Sequence, residues 1–170
     1  TATGVAKIGD FGLARPYGSP DKALTSNVVT MWYRSPELFF GARAYSDAVD
    51  IWSFGCLVAE MTLSKPLFPG ESELDMLTKI FSFTGTPSKE TWPNVNQLPN
   101  FIEFTAFEGK EFDDLIPECP PGIKLFIQAI LHANPNERPQ AHVLLQDKWF
   151  KASPAPCSPY DLPFVLKRRH

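Results

Sequence analysis

Residues 46–63 read Ser-Asp-Ala-Val-Asp-Ile-Trp-Ser-Phe-Gly-Cys-Leu-Val-Ala-Glu-Met-Thr-Leu, and this stretch decides the fold. Ser46 or Asp47 is a suitable N-cap, and the residues that follow keep a helical pattern to about Leu63. Apolar side chains occupy almost every face of this helix, and a helix that is apolar all round is buried. The sequence therefore predicts a long buried helix in the core of the domain.

Further helices are predicted on the C-terminal side of this one. Ser72-Glu73-Leu74-Asp75 resembles a capping box, and it opens an amphipathic helix to about Phe83 with the apolar positions Leu74, Leu77, Ile80 and Phe81. Two later helices are predicted at residues 121–132 and 139–146, each with a proline at its start. The domain should be mainly helical.

The remaining chain is predicted to be irregular apart from one short strand. Residues 5–8 alternate apolar and polar side chains and stop at Gly9-Asp10, which reads as a strand running into a turn. Proline accounts for 17 of the 170 residues, roughly double ordinary usage. No regular period persists over residues 12–45 or 84–121, so both are read as irregular connections.

Composition and charge argue against several functions. The 16 basic and 19 acidic residues leave a net charge of −3, so nothing indicates a basic surface for direct contact with nucleic acid. The three cysteines are odd in number and far apart, which indicates neither a disulfide framework nor a zinc site and fits a reducing compartment. The longest strongly apolar stretch, residues 51–59, is far short of the ~20 residues that span a bilayer, so no membrane segment is expected.

The length of 170 residues is ordinary for one domain and sufficient for a sizeable core. The first residue is Thr1 rather than Met, and no charged-then-apolar targeting pattern follows it. We therefore expect the chain to begin inside a longer protein.

Four short motifs occur in order along the chain. Asp10-Phe11-Gly12 follows the predicted strand, and taken alone it is weak evidence, because an Asp at a strand end is most often a turn residue. It is followed by Trp32-Tyr33-Arg34-Ser35-Pro36-Glu37, Asp50-x-Trp52-x-x-Gly55 and Asn134-Pro135-x-x-Arg138-Pro139. Together these motifs are far more specific than any one of them.

Two of the motifs place charges in apolar surroundings. Asp50 lies in the predicted buried helix, and Arg138 follows an apolar helix. Unpaired buried charges are costly, so both need partners. We expect Glu37 to pair with Arg138.

Through these motifs, residues 5–150 resemble the C-terminal part of a eukaryotic protein kinase domain. The resemblance implies a mainly α fold, the C-terminal lobe of the protein kinase fold with the N-lobe missing; the intact kinase is α+β. Residues 1–150 would form this part of the domain, with an activation segment at 10–37 and an insert at about 84–121. Residues 151–170 would form a Pro-rich and basic extended tail.

Shorter stretches indicate the subgroup. The chain is similar to cyclin-dependent kinases in Asp10-Phe11-Gly12-Leu13-Ala14-Arg15, Val28-Val29-Thr30, Trp32-Tyr33-Arg34, Thr84-Gly85-Thr86-Pro87 and Trp92-Pro93. It is most similar to the kinases that activate other cyclin-dependent kinases, the catalytic subunits of the TFIIH kinase module, in Gly18-Ser19-Pro20, Phe39-Phe40-Gly41-Ala42-Arg43, residues 69–75 and Pro154-Ala155-Pro156-Cys157. Met31 and Ser35 depart from the family pattern, and since serine is as small as the usual alanine, little consequence is expected.

The resemblance implies ATP and Mg²⁺ as cofactors. Asp10 would ligate Mg²⁺ on the ATP phosphates, Phe11 would pack inward to orient it, and Gly12 would permit the turn. Thr30 would contact the catalytic loop. Asp50 would brace that loop from the buried helix.

The resemblance also implies two phosphorylation sites. Thr25 falls where the family carries its activating phosphothreonine, whose charge of about −1.5 to −2 would be met by arginines such as Arg15. Ser19, followed by Pro20, resembles a second site. An unmodified loop threonine and a simple turn serine remain the alternatives.

Substrate choice is implied by the residues around the second motif. Val28 and Val29 with Arg34 would form the shelf for the residue after the phosphoacceptor. If Arg34 holds the backbone of Val29, a substrate N–H finds no acceptor there, and proline, which has no N–H, is favoured. Substrates with Ser/Thr-Pro sites are therefore expected.

The implied parent protein is a cyclin-dependent serine/threonine kinase that activates other kinases and phosphorylates the C-terminal domain of RNA polymerase II. Its partners would be a cyclin similar to cyclin H and an assembly factor of the TFIIH kinase module, in the nucleus and also in the cytoplasm. The sequence contains no Gly-rich loop, ATP-binding lysine or His-Arg-Asp loop, so these 170 residues alone should be inactive. They should also be marginally stable, with an exposed apolar face.

Other readings stay open from the sequence alone. The chain could belong to another cyclin-dependent kinase subtype, or to a non-catalytic kinase-derived module that binds cyclin or substrate, although such a module needs neither Asp10 nor Thr25. His132 and His142 lie in helical patterns and are read as structural. The basic residues 167–170 are either a solvated chain end or a fragment of a nuclear signal.

Overall fold

The computed structural model describes residues 1, 3–14, 30–109 and 119–162. This part of the chain folds into five α-helices: α1 (Pro36–Phe39), α2 (Ala48–Leu63), α3 (Glu73–Thr84), α4 (Pro121–Ile130) and α5 (Ala141–Leu144). Short 3₁₀ turns lie at Phe11–Leu13, Met31–Tyr33, Val95–Gln97, Pro135–Glu137, Lys148–Lys151 and Pro159–Asp161. The prediction of a mainly helical fold is confirmed, and no helix in these ranges is long and apolar enough to cross a membrane.

The strand predicted at residues 5–8 is wrong. No β-strand occurs among the described residues, and residues 5–10 have no regular structure. A strand exists only where its backbone groups pair with a neighbour, and Val5 and Ile8 are instead exposed. The side chains of residues 5–8 do alternate as they would in a strand, but no described segment pairs with their backbone groups.

Helix α2 is the central element, as expected. Asp47 occupies the N-cap position without a side-chain bond, and the Ser46 hydroxyl accepts a hydrogen bond from the Ala48 N–H at 3.2 Å. The helix ends at Ser64, which adopts a left-handed conformation with φ 56°. It packs against α4 and against the two 3₁₀ turns at residues 31–33 and 135–137.

The expectation that α2 is buried on every side is wrong on one face. Asp50, Phe54, Leu57 and Met61, spaced three or four residues apart, form a stripe that we call the open face, and Leu57 and Met61 are 47% and 73% exposed. Ile51, Trp52, Gly55, Cys56, Val58 and Ala59 fill the opposite side and are buried. Phe54 only touches the ring of Phe126 edge-on. The apolar pattern was therefore read correctly, but nothing described in the structure covers the open face.

Helix α3 begins where its capping sequence predicts. The Ser72 hydroxyl accepts a hydrogen bond from the Asp75 N–H at 3.2 Å. Burial starts at Met76 rather than at Leu74, which is exposed, and the inward residues are Met76, Leu77, Ile80 and Phe81. The buried face of α3 therefore begins two residues later than the sequence predicted, at Met76 instead of Leu74.

The insert after α3 is irregular, as predicted, in its described residues 85–109. It is held to the core through the ring of Phe40, which lies 5.8 Å from Phe81, 6.1 Å from Trp92 and 5.3 Å from Phe101 between ring centroids. The Phe40 carbonyl also accepts a hydrogen bond from the Asn100 N–H at 2.9 Å. Aromatic packing replaces regular structure here.

Candidate functional site

Arg138 is buried and donates five hydrogen bonds from its guanidinium. Its two terminal nitrogens donate to the two Glu37 carboxylate oxygens at 2.7 and 2.8 Å. Its other donors reach the carbonyls of Ala48, His132 and Ala133 at 2.9, 2.9 and 3.0 Å. All five N–H groups of the guanidinium are therefore satisfied, which is what a charge buried with its partner requires. The predicted pairing with Glu37 occurs.

These bonds explain why α4 ends at Ile130 and not at residue 132. Leu131 leaves the helix with ψ 66°, and the following carbonyls of His132 and Ala133 turn toward Arg138. Asn134 then accepts a hydrogen bond from the Asn136 N–H at 3.1 Å, which starts the turn leading to Arg138. The fourth motif thus closes the C-terminal end of α4.

The same guanidinium lies over the hydrophobic core. Its carbon is 5.0 Å from the ring centroid of Trp52, which stacks on Phe68 at 5.8 Å. Next to them, burial raises the pKa of the Cys56 thiol to about 12, and the positive charge of Arg138 only partly opposes this. The third motif therefore supplies the surface on which the charge pair rests. We call Glu37, Arg138 and Trp52 the anchor.

The second motif is attached to the helices by side-chain bonds. The Trp32 indole N–H donates to the Gly70 carbonyl at 3.0 Å, and the Ser53 hydroxyl donates to the Tyr33 carbonyl at 2.8 Å. The Tyr33 hydroxyl donates to Glu60 at 2.6 Å, and this bond, together with burial, raises the pKa of Tyr33. The end of the predicted activation segment is therefore held on α2.

Sequence reasoning missed the partners in these bonds. Ser53 and Glu60 are polar residues inside the apolar run of α2, and that interruption was an available signal, because part-buried polar groups need partners. The Gly70 carbonyl offered no signal in the sequence.

Arg34, predicted to hold the backbone of Val29, is described with other neighbours. Its guanidinium is 3.4 Å from a Glu73 carboxylate oxygen and 5.4 Å from the Phe39 ring centroid. Val28 and Val29 lie outside the described residues, so the substrate shelf stays a prediction. Thr30 is exposed.

The first motif is exposed to solvent. Asp10 has a left-handed backbone, with φ 57° and ψ 63°, and its carboxylate is not buried. Phe11 opens a 3₁₀ turn and is 68% exposed, so the expectation that its ring packs inward is wrong for these described residues. Gly12 is exposed as well. No described neighbour fills the space into which Phe11 was expected to pack.

Asp10 fits one position of a magnesium site and no more. Carboxylate oxygens are the ligands that Mg²⁺ prefers, and an exposed carboxylate can reach a phosphate-bound ion. In residues 1, 3–14, 30–109 and 119–162, however, no group of three or more His, Cys, Asp or Glu side chains could hold a metal ion. Any complete site would need ligands from elsewhere.

Asp50 is not in the apolar surroundings expected for it. It lies in the first turn of α2 on the open face and is exposed, and its carboxylate makes no hydrogen bond or ion pair within the described ranges. The role of bracing a catalytic loop stays a prediction. Thr25, Ser19 and Arg15 lie outside the described residues.

Comparison with known proteins assigns the sequence to a family. The model of the family described as "Protein kinase domain" matches residues 1–150. The chain is also 43% identical over 153 residues to "Cyclin-dependent kinase 7" of Xenopus laevis. The match covers 90% of this chain and 44% of that relative, so the chain spans less than half of the relative's length.

Proposed function

Because the chain belongs to the protein kinase family, and within it to the cyclin-dependent kinases, we propose that it is the C-terminal-lobe part of a serine/threonine kinase that acts on Ser/Thr-Pro sites. Residues 1–150 form that part, with the activation segment at 10–37 and the insert at 84–121, and residues 151–170 form the tail. The carrying observation is the exposed Asp10 carboxylate at the start of a segment whose far end is bonded to α2.

The chemistry of the site follows from its residues. Mg²⁺·ATP, when bound, supplies the γ-phosphoryl group and part of the charge neutralisation that phosphoryl transfer needs. Asp10 would hold the ion; its backbone is left-handed, and its carboxylate lies beside Gly12, where an added Cβ would be 3.5 Å from the Asp10 Oδ1 atom. Thr30, which is exposed next to the bonded end of the segment, would contact the catalytic loop of the complete kinase. The protein's contribution is therefore mostly positioning.

Substrate specificity is assigned to the shelf of Val28 and Val29 with Arg34. The neighbours of Arg34 are bonded to other parts of the fold, Trp32 to the Gly70 carbonyl and Tyr33 to Glu60, which supports a fixed position for the second motif. A phosphate on Thr25, with Arg15 among its partners, would order the segment between the two motifs, and Ser19 is a second candidate for modification.

The proposed parent kinase binds a cyclin similar to cyclin H and an assembly factor of the TFIIH kinase module. Its substrates are other cyclin-dependent kinases and the C-terminal domain of RNA polymerase II, in the nucleus and also in the cytoplasm. The identity of 43% to a cyclin-dependent kinase 7 supports this subgroup.

These 170 residues alone are proposed to be inactive. Asp10 is the one motif ligand that the described residues offer, and the open face of α2 exposes apolar side chains that a complete kinase would cover. The open face would equally suit a binding module without chemistry, which is the rival function.

The decisive experiment compares Asp10→Asn with Asp47→Asn in the complete kinase bound to its cyclin. Asp10→Asn should lower phosphate transfer to a Ser-Pro peptide by roughly 100-fold or more, the scale of removing a group that stabilises transition-state charge. Asp47, whose side chain makes no cap bond, should tolerate the change. An Asp10→Asn enzyme with an unchanged rate would contradict the metal-binding role of Asp10, and a complete protein without any phosphate transfer would support the binding module. Turnover by the isolated 170 residues would contradict their inactivity.

A further inference from the structure

Serine or threonine is followed directly by proline at five positions of the chain, and this is the arrangement that the proposed kinase modifies in its substrates. Ser19, one of the five, is already a candidate for modification and lies outside the described residues. The other four are Ser35, Thr86, Ser153 and Ser158. They share a sequence pattern, so their surroundings decide which hydroxyls an enzyme can reach.

Two of the four hydroxyls are held inside the fold. Ser35 is 1% exposed, and Pro36 beside it is buried as well. Thr86 is half-buried, and its hydroxyl donates to the Thr105 carbonyl at 3.1 Å and accepts from the Phe107 N–H at 2.9 Å. Phosphoryl transfer requires the hydroxyl to be in line with the γ-phosphate. Neither site can meet this requirement unless the fold opens locally.

The two hydroxyls in the tail are open to solvent. Ser153 and Pro154 are exposed, and so are Ser158 and Pro159. The Ser153 side chain makes no hydrogen bond within the described ranges. The Ser158 hydroxyl accepts a hydrogen bond from the Tyr160 N–H at 3.3 Å, and its own O–H has no acceptor among the described residues. Both oxygens are therefore accessible to a second protein.

The backbone of the tail can also leave the fold at little cost. Residues 153–157 make no backbone hydrogen bond to any described residue. At Ser158 the carbonyl accepts one from the Asp161 N–H at 2.9 Å, and breaking one such bond costs about 0.5–1.5 kcal/mol. The core ends just before the tail, where Trp149 stacks on Phe126 at 4.8 Å. The tail can therefore bind as an extended substrate while the core stays folded.

We propose that Ser153 and Ser158 are phosphorylation sites and that a second molecule of this kinase modifies them. The inference rests on the proposed function, in which the kinase acts on separate Ser/Thr-Pro substrates. The serine oxygen bonds to the γ-phosphorus of Mg²⁺·ATP, the bond from that phosphorus to the β–γ bridging oxygen breaks, ADP leaves, and the hydroxyl proton passes to solvent. Two phosphates add a charge of about −3 to −4 to the tail.

The test uses an acceptor that cannot label itself. The acceptor is the complete Asp10→Asn kinase with its cyclin, and the enzyme is the unaltered complex with Mg²⁺·ATP. Mass spectrometry should find phosphate on Ser153 and Ser158, and none in the tail of an acceptor that also carries Ser153→Ala and Ser158→Ala. A serine that stays unmodified, while a free Ser-Pro peptide is phosphorylated in the same mixture, would overturn its assignment.

Two internal controls separate exposure from sequence. Ser64 is exposed but is followed by Lys65, so it should stay unmodified. Thr86 should stay unmodified in the folded acceptor and be phosphorylated in a free peptide of residues 80–92, where its bonds are absent. Labelling of Thr86 in the folded acceptor as fast as the tail serines would contradict selection by exposure, and labelling of Ser64 would contradict the requirement for proline.

The tail sites and the kinase function fail in different ways. If the protein is not a kinase, the complex labels neither the acceptor nor the free Ser-Pro peptide, although a different proline-directed kinase still labels Ser153 and Ser158. That result overturns transfer by a second molecule of this protein together with the proposed function. If only the tail sites are wrong, the complex phosphorylates the free peptide and leaves both tail serines unmodified.

Discussion

The anchor of Glu37, Arg138 and Trp52 and the Asp10-Phe11-Gly12 motif are both built from residues that the sequence singled out, but the anchor is buried and the Asp10 motif is exposed. Arg138 and Glu37 are almost completely buried, and every donor of the guanidinium has an acceptor among the described residues. Asp10 and Phe11 are exposed, and the described chain offers no further ligand set beside them.

This difference separates residues that stabilise the described fold from residues that are available to a ligand or partner. A buried charge pair must be completed inside the unit that buries it, because a missing partner would cost several kcal/mol. A carboxylate with the role proposed for Asp10 must instead remain open to its substrate. The anchor therefore stabilises the described fold, whereas the role proposed for Asp10 needs ligands from elsewhere.

The largest effect is expected from breaking the anchor. Arg138→Met leaves the Glu37 carboxylate buried without a partner and should lower the free energy of unfolding by about 3–5 kcal/mol. Arg34→Met, which removes a pair that lies at 3.4 Å and is partly exposed, should cost less than about 1 kcal/mol. Urea denaturation of the complete protein measures both. Equal losses would mean that the buried pair is not the centre of stability.

The packing beside the anchor is tested by adding one methyl group. A Cβ on Gly55 would lie 2.5 Å from Ile130 and 2.8 Å from Leu131, so Gly55→Ala should lower the free energy of unfolding by about 1–3 kcal/mol. Gly122→Ala is the matched helical control, because its Cβ would make an ordinary contact 3.7 Å from Trp149. A melting temperature that falls in both variants would contradict the close approach of α2 and α4.

The open face of α2, like the Asp10 motif, is exposed in the described structure, and substitution of Leu57 tests whether the complete kinase covers this face. Leu57→Gln should lower the stability of the complete kinase by about 1.5–3 kcal/mol, the scale of burying a leucine side chain. In the isolated chain the same change should increase the soluble yield, since it removes an exposed apolar group. Leu145→Gln, at an exposed position away from this face, should do little to the stability of either protein. A neutral Leu57→Gln in the complete kinase would mean that nothing covers this face.

The smallest effect is a dependence on pH inside the core. The pKa of Cys56 is raised to about 12 by burial, whereas an unfolded thiol titrates near its ordinary value of 9.0. Between these values the unfolded chain loses a proton that the folded chain keeps, so stability falls as the pH rises above 9.

The loss is at most about 1.4 kcal/mol for each pH unit, and it amounts to about 1.4 kcal/mol between pH 8 and pH 10. Melting temperatures at pH 8 and pH 10 should differ less in Cys56→Ala than in the parent. Cys157→Ala, at an exposed thiol, should leave the difference unchanged. The same slope in all three proteins would mean that Cys56 is not held neutral.

Much of the fold could be predicted because it depends on local pattern. The N-cap region and length of α2, the capping of α3 by Ser72 and the irregular insert all follow from residues close together in the chain. The pairing of Glu37 with Arg138 could also be predicted, since both are charged residues of motifs that a helical core would bury.

The candidate site was less predictable because its contacts are long-range. The bonds from Tyr33 to Glu60 and from Trp32 to Gly70 depend on how distant turns dock against α2, which no local spacing reveals. The inward packing expected of Phe11 was wrong because no described neighbour reaches its ring.

The sequence by itself determined the family, the helical elements and the charged pair that the core requires, because capping, apolar periodicity and the cost of buried charge act on residue type alone. The tertiary structure alone decided which side of α2 stays open and where α4 ends. These depend on which surfaces meet, because the same apolar segment is buried or exposed according to the neighbour that reaches it.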